Sequence, residues 1–473
     1  MRIKSTLTAL ATGMGLMAAA GAANAFHPAG EVWMVDQQNA ELYIYGQGSL
    51  DNPFIDSEPM GRMSLISPDV AGGASGKAHL IAFNNVNPFD RDSRAILAYL
   101  SGEIQIFKTN AGTGSPTLVE TIDVSNADVG KAANSLHMCG PSPDNKLMAC
   151  SSIGNKELIF YKTNYKADKY THAGSYPLAG LEVSSKLKGQ ALTDTNTAIA
   201  AGILAGKPIC NNFTTDSQVT FVTVTAGAGS GVLILDTSGI AKSKAPKIIG
   251  AFAGTAVGCG LVNSQDGTSM WTNAGSKSPT DSEAAYRWDY ADFGVKATPS
   301  ATVALPSKGD GGDVHGAQFA GLGGGFLWEV ERLDDRIHVI EPYSATLVNT
   351  IDLETADVPN PGADVLDRSQ SGTTMYMSLR GAKPITAIPA SIDADRTPGI
   401  MVYQTIFGYS GFQLKTEEVD GGFDRIYICP AHDDEHNHDD DDDVICAEGD
   451  EGAVEVASDD PHGLKSLNYL SGF

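Results

Sequence analysis

The chain repeats a short unit of apolar strands separated by turns, and this repetition constrains its fold more than any other feature. The clearest copy occupies residues 136–161, where two strands flank the turn Ser142-Pro143-Asp144-Asn145-Lys146 and a third strand follows. The strands are alternating or continuous apolar stretches enriched in β-branched residues, a pattern typical of sheet rather than helix. The sequence therefore predicts an all-β protein built from repeated strand units.

Other parts of the chain show the same order of strands. Clear copies occupy residues 78–107 and 314–340, and less regular copies are predicted to begin near Ala191, Gly258 and Ala363. Regular spacing of such units favours a radial array of small sheets, although two stacked β-sandwiches are the alternative architecture.

The two ends of the chain complete one unit between them. Residues 31–36 and 41–45 are predicted to be the second and third strands of a unit that lacks its first strand, and residues 460–467 are predicted to be a first strand without successors. One blade assembled from both ends closes the ring and removes open sheet edges. We therefore predict a seven-bladed β-propeller over residues 26–473, closed by N- and C-terminal strands that share one blade.

This pattern resembles the YVTN-type and quinoprotein-like seven-bladed β-propellers. The resemblance rests on a histidine at the start of the first strand, the Ser-Pro-Asp-Asn-Lys turn and the strand pair that follows. It implies an architecture and no particular activity.

The first 25 residues have the three parts of a secretory signal peptide. Arg2 and Lys4 provide positive charge, residues 7–21 are small and apolar, and Ala23-Asn24-Ala25 matches a small-x-small cleavage site. No later segment reaches the roughly 18 apolar residues of a membrane span. We therefore expect cleavage after about Ala25 and a periplasmic or secreted protein.

The chain has 6 cysteines, an even number that favours disulfides in an exported protein. Two of them flank the 142–146 turn and two bracket an acidic segment, which predicts the following pairs, with other connectivities open: Cys139–Cys150, Cys210–Cys259 and Cys429–Cys446.

The formal net charge is −25, so nucleic acid and anionic lipid surfaces are excluded as favourable partners, whereas cations are attracted. Much of this acidity lies in residues 429–446, which read CPAHDDEHNHDDDDDVIC. The segment has no core-forming periodicity and is predicted to be a solvated loop inserted in the propeller.

This acidic loop is the first candidate metal site. Imidazole nitrogens suit zinc and copper, and carboxylate oxygens complete a zinc site or bind calcium. The predicted ligands are His432, Asp433, Asp434, Glu435, His436, His438 and Asp439. Zinc is the expected ion, with copper or calcium as alternatives, and a loop that only increases solubility is the other interpretation.

The second candidate site is a ring of histidines. Each proposed first strand of four units begins near one of them, namely His79, His137, His315 and His462. First strands line the central channel of a propeller, so these side chains are predicted to share a transition metal, with Asp313 or Asp460 as acidic neighbours. Alternatively, each histidine only caps its own strand.

No GxSxG, Walker A, HExxH or CxxCH motif is present, and no catalytic residue is assigned. The chain is loosely similar to periplasmic propeller zinc metallochaperones, which implies metal capture or delivery to a periplasmic metal-binding or transport protein. A copper-dependent propeller oxidoreductase and an interaction scaffold of the cell envelope are the alternatives.

Overall fold

Seven small sheets surround a common axis and form a seven-bladed β-propeller, which confirms the predicted fold. The computed structural model describes residues 30–47, 59–65, 77–84, 93–124, 135–255, 258–275, 283–308, 312–322, 324–355, 358, 360–381, 396, 398–405, 408–410, 412–418, 425–428, 445–446, 454–457 and 461–468. The predicted signal peptide and residues 429–444 of the acidic loop lie outside these residues.

Blade 1 combines the two ends of the described chain. Its strands are β1 (Gly30–Asp36), β2 (Glu41–Gln47), β3 (Gly61–Ser64) and β32 (Pro461–Asn468). Their order is β3-β2-β1-β32, and β1 pairs antiparallel with β32, Glu31 opposite Leu467. The C-terminal strand is therefore the innermost strand of this blade, as the sequence predicts.

Blades 2 and 3 are regular four-stranded sheets whose first strand is innermost. Blade 2 contains β4 (Ala78–Phe83), β5 (Arg94–Tyr99), β6 (Glu103–Lys108) and β7 (Thr117–Asp123). Blade 3 contains β8 (Leu136–Pro141), β9 (Leu147–Ser152), β10 (Glu157–Asn164) and β11 (Lys169–Pro177).

Blade 4 has a fifth strand and is preceded by the one α-helix of the described residues, α1 (Gly189–Ala200). Its strands are β12 (Glu182–Val183), β13 (Lys207–Phe213), β14 (Val219–Thr225), β15 (Gly231–Asp236) and β16 (Lys247–Ala253). The prediction that a repeat unit begins near Ala191 is wrong. Ala191 lies in α1, and the innermost strand of blade 4 is β13. Ala191, Thr195 and Ala198 form the buried face of α1 at helical spacing.

Blades 5, 6 and 7 complete the ring. Blade 5 contains β17 (Val262–Asn263), β18 (Ser269–Ala274), β19 (Ala284–Asp289) and β20 (Ala301–Ala304). Blade 6 contains β21 (Val314–Ala320), β22 (Phe326–Glu331), β23 (Arg336–Glu341) and β24 (Thr346–Asp352). Blade 7 contains β25 (Ala363–Arg368), β26 (Thr374–Leu379), β27 (Gly399–Gln404) and β28 (Phe412–Glu418).

Smaller elements connect or extend the blades. A separate sheet contains three short strands, and five short 3₁₀ helices lie in described connections. The three strands are β29 (Arg425–Ile428), β30 (Ile445–Cys446) and β31 (Val454–Ala457), and the 3₁₀ helices are Tyr165–Ala167, Leu178–Gly180, Ile203–Ala205, Ile240–Lys242 and Tyr290–Asp292.

The hydrophobic core lies between the faces of neighbouring blades. The second strand of a blade is covered on both faces, and β1, β5 and β9 are buried at every position. The outermost strand β7, by contrast, is mostly exposed. Trp33, Trp271 and Trp328 lie on second strands and are fully buried. Face-to-face packing of this kind holds the inner ends of the strands in a fixed ring.

Two predicted disulfides are confirmed. Cys139 and Cys150 are directly paired across β8 and β9 and are bonded within blade 3. Cys210 of β13 is bonded to Cys259, just before β17, and this bond joins blade 4 to blade 5. Cys429 lies outside the described residues, so its pairing with Cys446 stays a prediction.

Candidate metal centre on the propeller axis

All seven blades place a side chain with metal-donor atoms near the start of the innermost strand. In blade order these residues are His462, His79, His137, Cys210, Cys259, His315 and Asp364. The four histidines are those expected from the sequence, and the other three residues complete the same structural position around the axis. We call this set the axial ring.

A β-bulge sits at this position in six of the seven innermost strands, because the pairing register with the second strand shifts there. In β4, for example, the shift falls between Ala78 and Leu80 and leaves His79 without a partner in the register. A bulge bends the strand and redirects the side chain of the extra residue. The repeated bulge thus explains why unlike residues converge on one axis.

The four imidazoles form a continuous series of ring contacts. The centroid of His79 lies 4.0 Å from that of His137 and 4.2 Å from that of His462. The centroid of His462 in turn lies 6.1 Å from that of His315. The structure therefore brings together all four histidines that the sequence analysis placed on the axis.

Asp364 anchors one side of the ring. Its Oδ2 lies 2.6 Å from His462 Nδ1, and its Oδ1 lies 3.6 Å from His315 Nε2. Donor atoms of these three residues lie within 4.8 Å of one another, and we call them the histidine–aspartate triad. Imidazole nitrogen and carboxylate oxygen are donor types that occur together in zinc sites.

On the opposite side, His137 faces the disulfide between blades 4 and 5. Its Nδ1 lies 3.5 Å from Cys210 Sγ and 3.9 Å from Cys259 Sγ. These three residues also form a group of donor atoms within 4.8 Å of one another, which we call the histidine–cystine triad. His79, between the two triads, contacts both His137 and His462.

Three supporting side chains reach from the end of a second strand to the axial residue of the next blade. Gln37 follows β1, and its Nε2 lies 2.5 Å from His79 Nδ1. Arg332 follows β22 and donates to Asp364 Oδ1 at 3.1 Å. Arg380 follows β26 and lies 2.6 Å from Asp364 Oδ2 and 2.7 Å from His462 Nδ1. These contacts fix the orientation of three axial residues.

Burial and neighbouring charge lower the pKa of two axial imidazoles, those of His79 and His315, and keep them neutral. Burial, followed by the neighbouring rings and Arg380, holds the pKa of His79 well below its ordinary value. Burial lowers the pKa of His315 to about 4, although the charge of Asp364 opposes this shift. Neutral imidazole is the form that binds metal, and the buried His79 Nε2 has no hydrogen-bond partner among the described residues.

The central carboxylate stays ionised. Burial alone would raise the pKa of Asp364, but His315, Arg332, His462 and Arg380 together hold it well below its ordinary value. Arg332 is also paired with Asp313, at 2.5 Å between Nη2 and Oδ2. Two guanidinium groups and two carboxylates therefore balance each other beside the imidazoles.

Two glycines permit the close approach of the inner strands. A Cβ on Gly316, next to His315, would lie 2.6 Å from the carbonyl oxygen of Asp364. A Cβ on Gly463, next to His462, would lie 2.9 Å from the carbonyl oxygen of His79. The His-Gly pairs thus place an imidazole on the axis while leaving room for the neighbouring blade.

A group of buried acidic side chains lies near Asp313, the ion-pair partner of Arg332. Glu283 is 3% exposed, and neither of its carboxylate oxygens has a hydrogen-bond partner among the described residues. Burial, with the charges of Glu331, Asp334 and Asp313, raises the pKa of Glu283 to about 8. Burial also raises the pKa of Glu331 to about 7. At neutral pH Glu283 therefore holds a proton, and Glu331 is about half protonated.

The acidic partner of the ring is neither of the two residues predicted from the sequence, Asp313 and Asp460. Asp313 contacts Arg332 rather than an axial histidine, and Asp460 lies outside the described residues. The carboxylate beside His315 and His462 is Asp364. The sequence contains evidence for Asp364. A repeat unit is predicted to begin near Ala363, and Asp364 follows Ala363 as His79 follows Ala78 in blade 2. All seven predicted ligands of the acidic loop lie outside the described residues.

Comparisons with known proteins support the fold alone. No protein-family model and no curated protein matches the chain. Among solved structures, a putative 6-phosphogluconolactonase from Bacteroides fragilis NCTC 9343 is 11% identical with a TM-score of 0.54, covering 94% of this chain and 99% of that chain. The periplasmic gluconolactonase of Pseudomonas aeruginosa is 12% identical with a TM-score of 0.50, covering 82% and 96%. The chain shares the seven-bladed propeller fold with these proteins.

One further finding concerns membranes. Among the described residues, no helix has the length and apolar character needed to cross a bilayer.

Proposed function

We propose that this protein is an exported β-propeller that binds a divalent transition-metal ion on its axis. The observation that carries the proposal is the histidine–aspartate triad, whose three donor residues converge within 4.8 Å of one another. His79 stacks against His462, with the two ring centroids 4.2 Å apart, and is the natural fourth ligand. The neutral imidazoles of His79 and His315 and the ionised carboxylate of Asp364 are already in the protonation states that metal binding requires.

The donor set favours zinc or copper over calcium. Calcium takes six to eight oxygen ligands, whereas the axial site offers mainly imidazole nitrogen. Zinc commonly takes three or four ligands of the kinds found here. Supporting contacts from Arg380 and Gln37 would orient the ligands, as outer-shell groups do in known metal sites.

We further propose that the predicted acidic loop, residues 429–446, collects ions for this centre. Its ligands His432, His436 and His438 stand among carboxylates that attract cations. The two disulfides fit folding in an oxidising compartment, and the predicted signal peptide would deliver the protein there. Metal capture or delivery is the function that combines these features.

The first test is the metal content of protein purified from the periplasm under oxidising conditions. We expect close to one zinc or copper ion per chain, and a metal-free form that rebinds one equivalent. Copper with visible absorption would favour the redox alternative, whereas colourless zinc would favour capture or delivery. Absence of binding by folded protein for both ions would contradict the proposal.

Variants locate the site. His462→Gln and His315→Gln should each weaken binding by at least about 100-fold, because each removes a direct ligand. His338→Gln is the matched control, since His338 is as buried as His462 but lies on β23, away from the axis. Deleting residues 432–443 should slow loading without abolishing the equilibrium binding of one ion. Equal losses in the control and the axial variants would refute the assignment.

A further inference from the structure

The bond between Cys210 and Cys259 differs from the other described disulfide in its surroundings. Cys139–Cys150 lies within one blade and belongs to none of the groups of converging metal donors among the described residues. Cys210–Cys259 spans two blades, and both sulfurs face His137 Nδ1, at 3.5 and 3.9 Å. A disulfide that only stabilises the fold does not require an imidazole nitrogen close to both of its sulfurs.

The distances match those within a tetrahedral metal site. With Zn–S bonds of about 2.3 Å and Zn–N bonds of about 2.1 Å, the nitrogen and a sulfur of one tetrahedron lie about 3.6 Å apart. The two His137–sulfur distances, 3.5 and 3.9 Å, lie on either side of that value. The two sulfurs themselves would have to separate to about 3.8 Å, which a covalent disulfide forbids. The bond therefore blocks a site whose third ligand is already in place.

The exposure of the three residues suggests how the bond would be opened. Cys210 is fully buried, whereas Cys259 and His137 are only partly buried. An incoming thiolate would therefore attack Cys259 Sγ and release the sulfur of Cys210 beside His137. A second thiolate of the same dithiol reductant then attacks the mixed disulfide. The protein S–S bond gains two electrons and two protons, and the reductant becomes a disulfide.

We propose that Cys210–Cys259 is a redox-controlled gate on a second metal site, formed by His137 and the two cysteine sulfurs once the bond is reduced. Two thiolates and an imidazole suit a thiophilic ion such as Zn²⁺ or Cu⁺. Binding of a divalent ion displaces both thiol protons, and the two thiolates neutralise its charge. This inference rests on residues outside the histidine–aspartate triad and does not depend on the function proposed above.

The test uses Co²⁺ as a spectroscopic probe for zinc, added anaerobically to the metal-free full-length protein before and after treatment with a phosphine reductant. We expect the reduced protein to gain one equivalent of Co²⁺ with an intense thiolate-to-cobalt charge-transfer band, which Zn²⁺ then removes. The oxidised protein should show no such band. A reduced protein that stays folded but shows no thiolate band would overturn the proposal.

Matched variants assign the band. Cys210→Ser combined with Cys259→Ser should abolish it, whereas Cys139→Ser combined with Cys150→Ser should leave it unchanged. Cys429→Ser combined with Cys446→Ser should also leave it unchanged, and its loss there would assign it to the acidic loop instead. His137→Gln should weaken cobalt binding by about 10- to 100-fold.

A last variant separates this inference from the proposed function. His315→Gln combined with His462→Gln should lose the axial metal ion in the oxidised protein and retain the thiolate band in the reduced protein. A band that disappears in this variant would show that the two triads form one site, which contradicts a separate gate.

Discussion

The two triads occupy equivalent positions on one ring but are held by different chemistry. The histidine–aspartate triad is fixed by ion pairs and hydrogen bonds from Arg332 and Arg380. The histidine–cystine triad is fixed by a covalent bond between two blades. In the proposed scheme, the histidine–aspartate triad binds a metal ion whether or not the protein is reduced, whereas the histidine–cystine triad binds one only after its disulfide gains two electrons. The repeat fixes where each blade places its axial residue, and the type of that residue fixes the chemistry of the site.

The largest effect is expected from Asp364→Asn. Asp364 contacts Arg332, Arg380 and His462, and its carboxylate is fully buried. Removing its charge leaves two buried guanidinium groups short of a partner, which should cost about 3–5 kcal/mol of unfolding free energy. Metal binding by the histidine–aspartate triad should also be lost. Denaturant unfolding and metal titration measure the two effects.

The control for this variant is Asp367→Asn on the same strand. Asp367 is buried but pairs with Lys465, which is partly exposed, so the loss should be about 1–2 kcal/mol. The histidine–cystine triad contains no carboxylate, and the reduced-state cobalt band should survive in both variants. An Asp364→Asn protein as stable as the wild type would contradict the anchoring role of this residue.

A smaller effect is expected from Gly316→Ala. The new methyl group would lie 2.6 Å from the carbonyl oxygen of Asp364, so the inner strands of blades 6 and 7 must move apart. We expect a loss of about 1–3 kcal/mol in unfolding free energy and weaker metal binding by the histidine–aspartate triad. Gly180→Ala is the control, because a Cβ there meets no atom within 4 Å. Equal stability of the two variants would show that the strands are not closely packed at Gly316.

Gln37→Leu tests whether His79 belongs to the histidine–aspartate triad. Gln37 orients His79 through Nδ1, and loss of such an outer-shell contact weakens metal binding by about 10-fold. We expect that change in the oxidised protein, measured by competition with a chelator of known affinity. The cobalt affinity of the reduced protein should stay the same. If only the reduced-state affinity falls, His79 serves the histidine–cystine triad instead.

The smallest expected effect is a dependence of stability on pH, and it arises from the buried acid Glu283. The pKa of Glu283 is raised from 4.5 to about 8 in the folded protein, so the folded chain keeps a proton that the unfolded chain loses between those values. Wild-type stability should therefore decline through this group from about pH 5 to pH 8. Glu283→Gln removes that decline and should be more stable than the wild type at pH 8 by about 1–2 kcal/mol, with little difference near pH 4.

Denaturant unfolding at the two pH values measures the effect of Glu283→Gln. Exposed Glu120 supplies the control, since Glu120→Gln should change stability equally at both pH values. If the stability difference between Glu283→Gln and the wild type does not grow from pH 4 to pH 8, Glu283 is not a buried, protonated carboxyl.

The architecture and four of the seven residues of the axial ring could be predicted from the sequence because they depend on local patterns. Strand alternation, the histidine at the start of a first strand and the spacing of Cys139 and Cys150 across one turn are all visible within a few residues. Arg380 could not be predicted, since its contact with His462 joins strands far apart in the chain. The helix at Ala191 also escaped detection, because a small insertion between blades has no counterpart in the repeat.

The pairing of β1 with β32 gives the axial site an order of assembly. Glu31 lies opposite Leu467, so this contact joins nearly the whole described chain and is among the slowest to form in a folding protein. His462 lies on that same strand and reaches the axis only when the ring shuts. An ion that binds the closed ring but not the open one would stabilise closure by mass action. Metal supply would then control a late step in folding, the closure of the propeller.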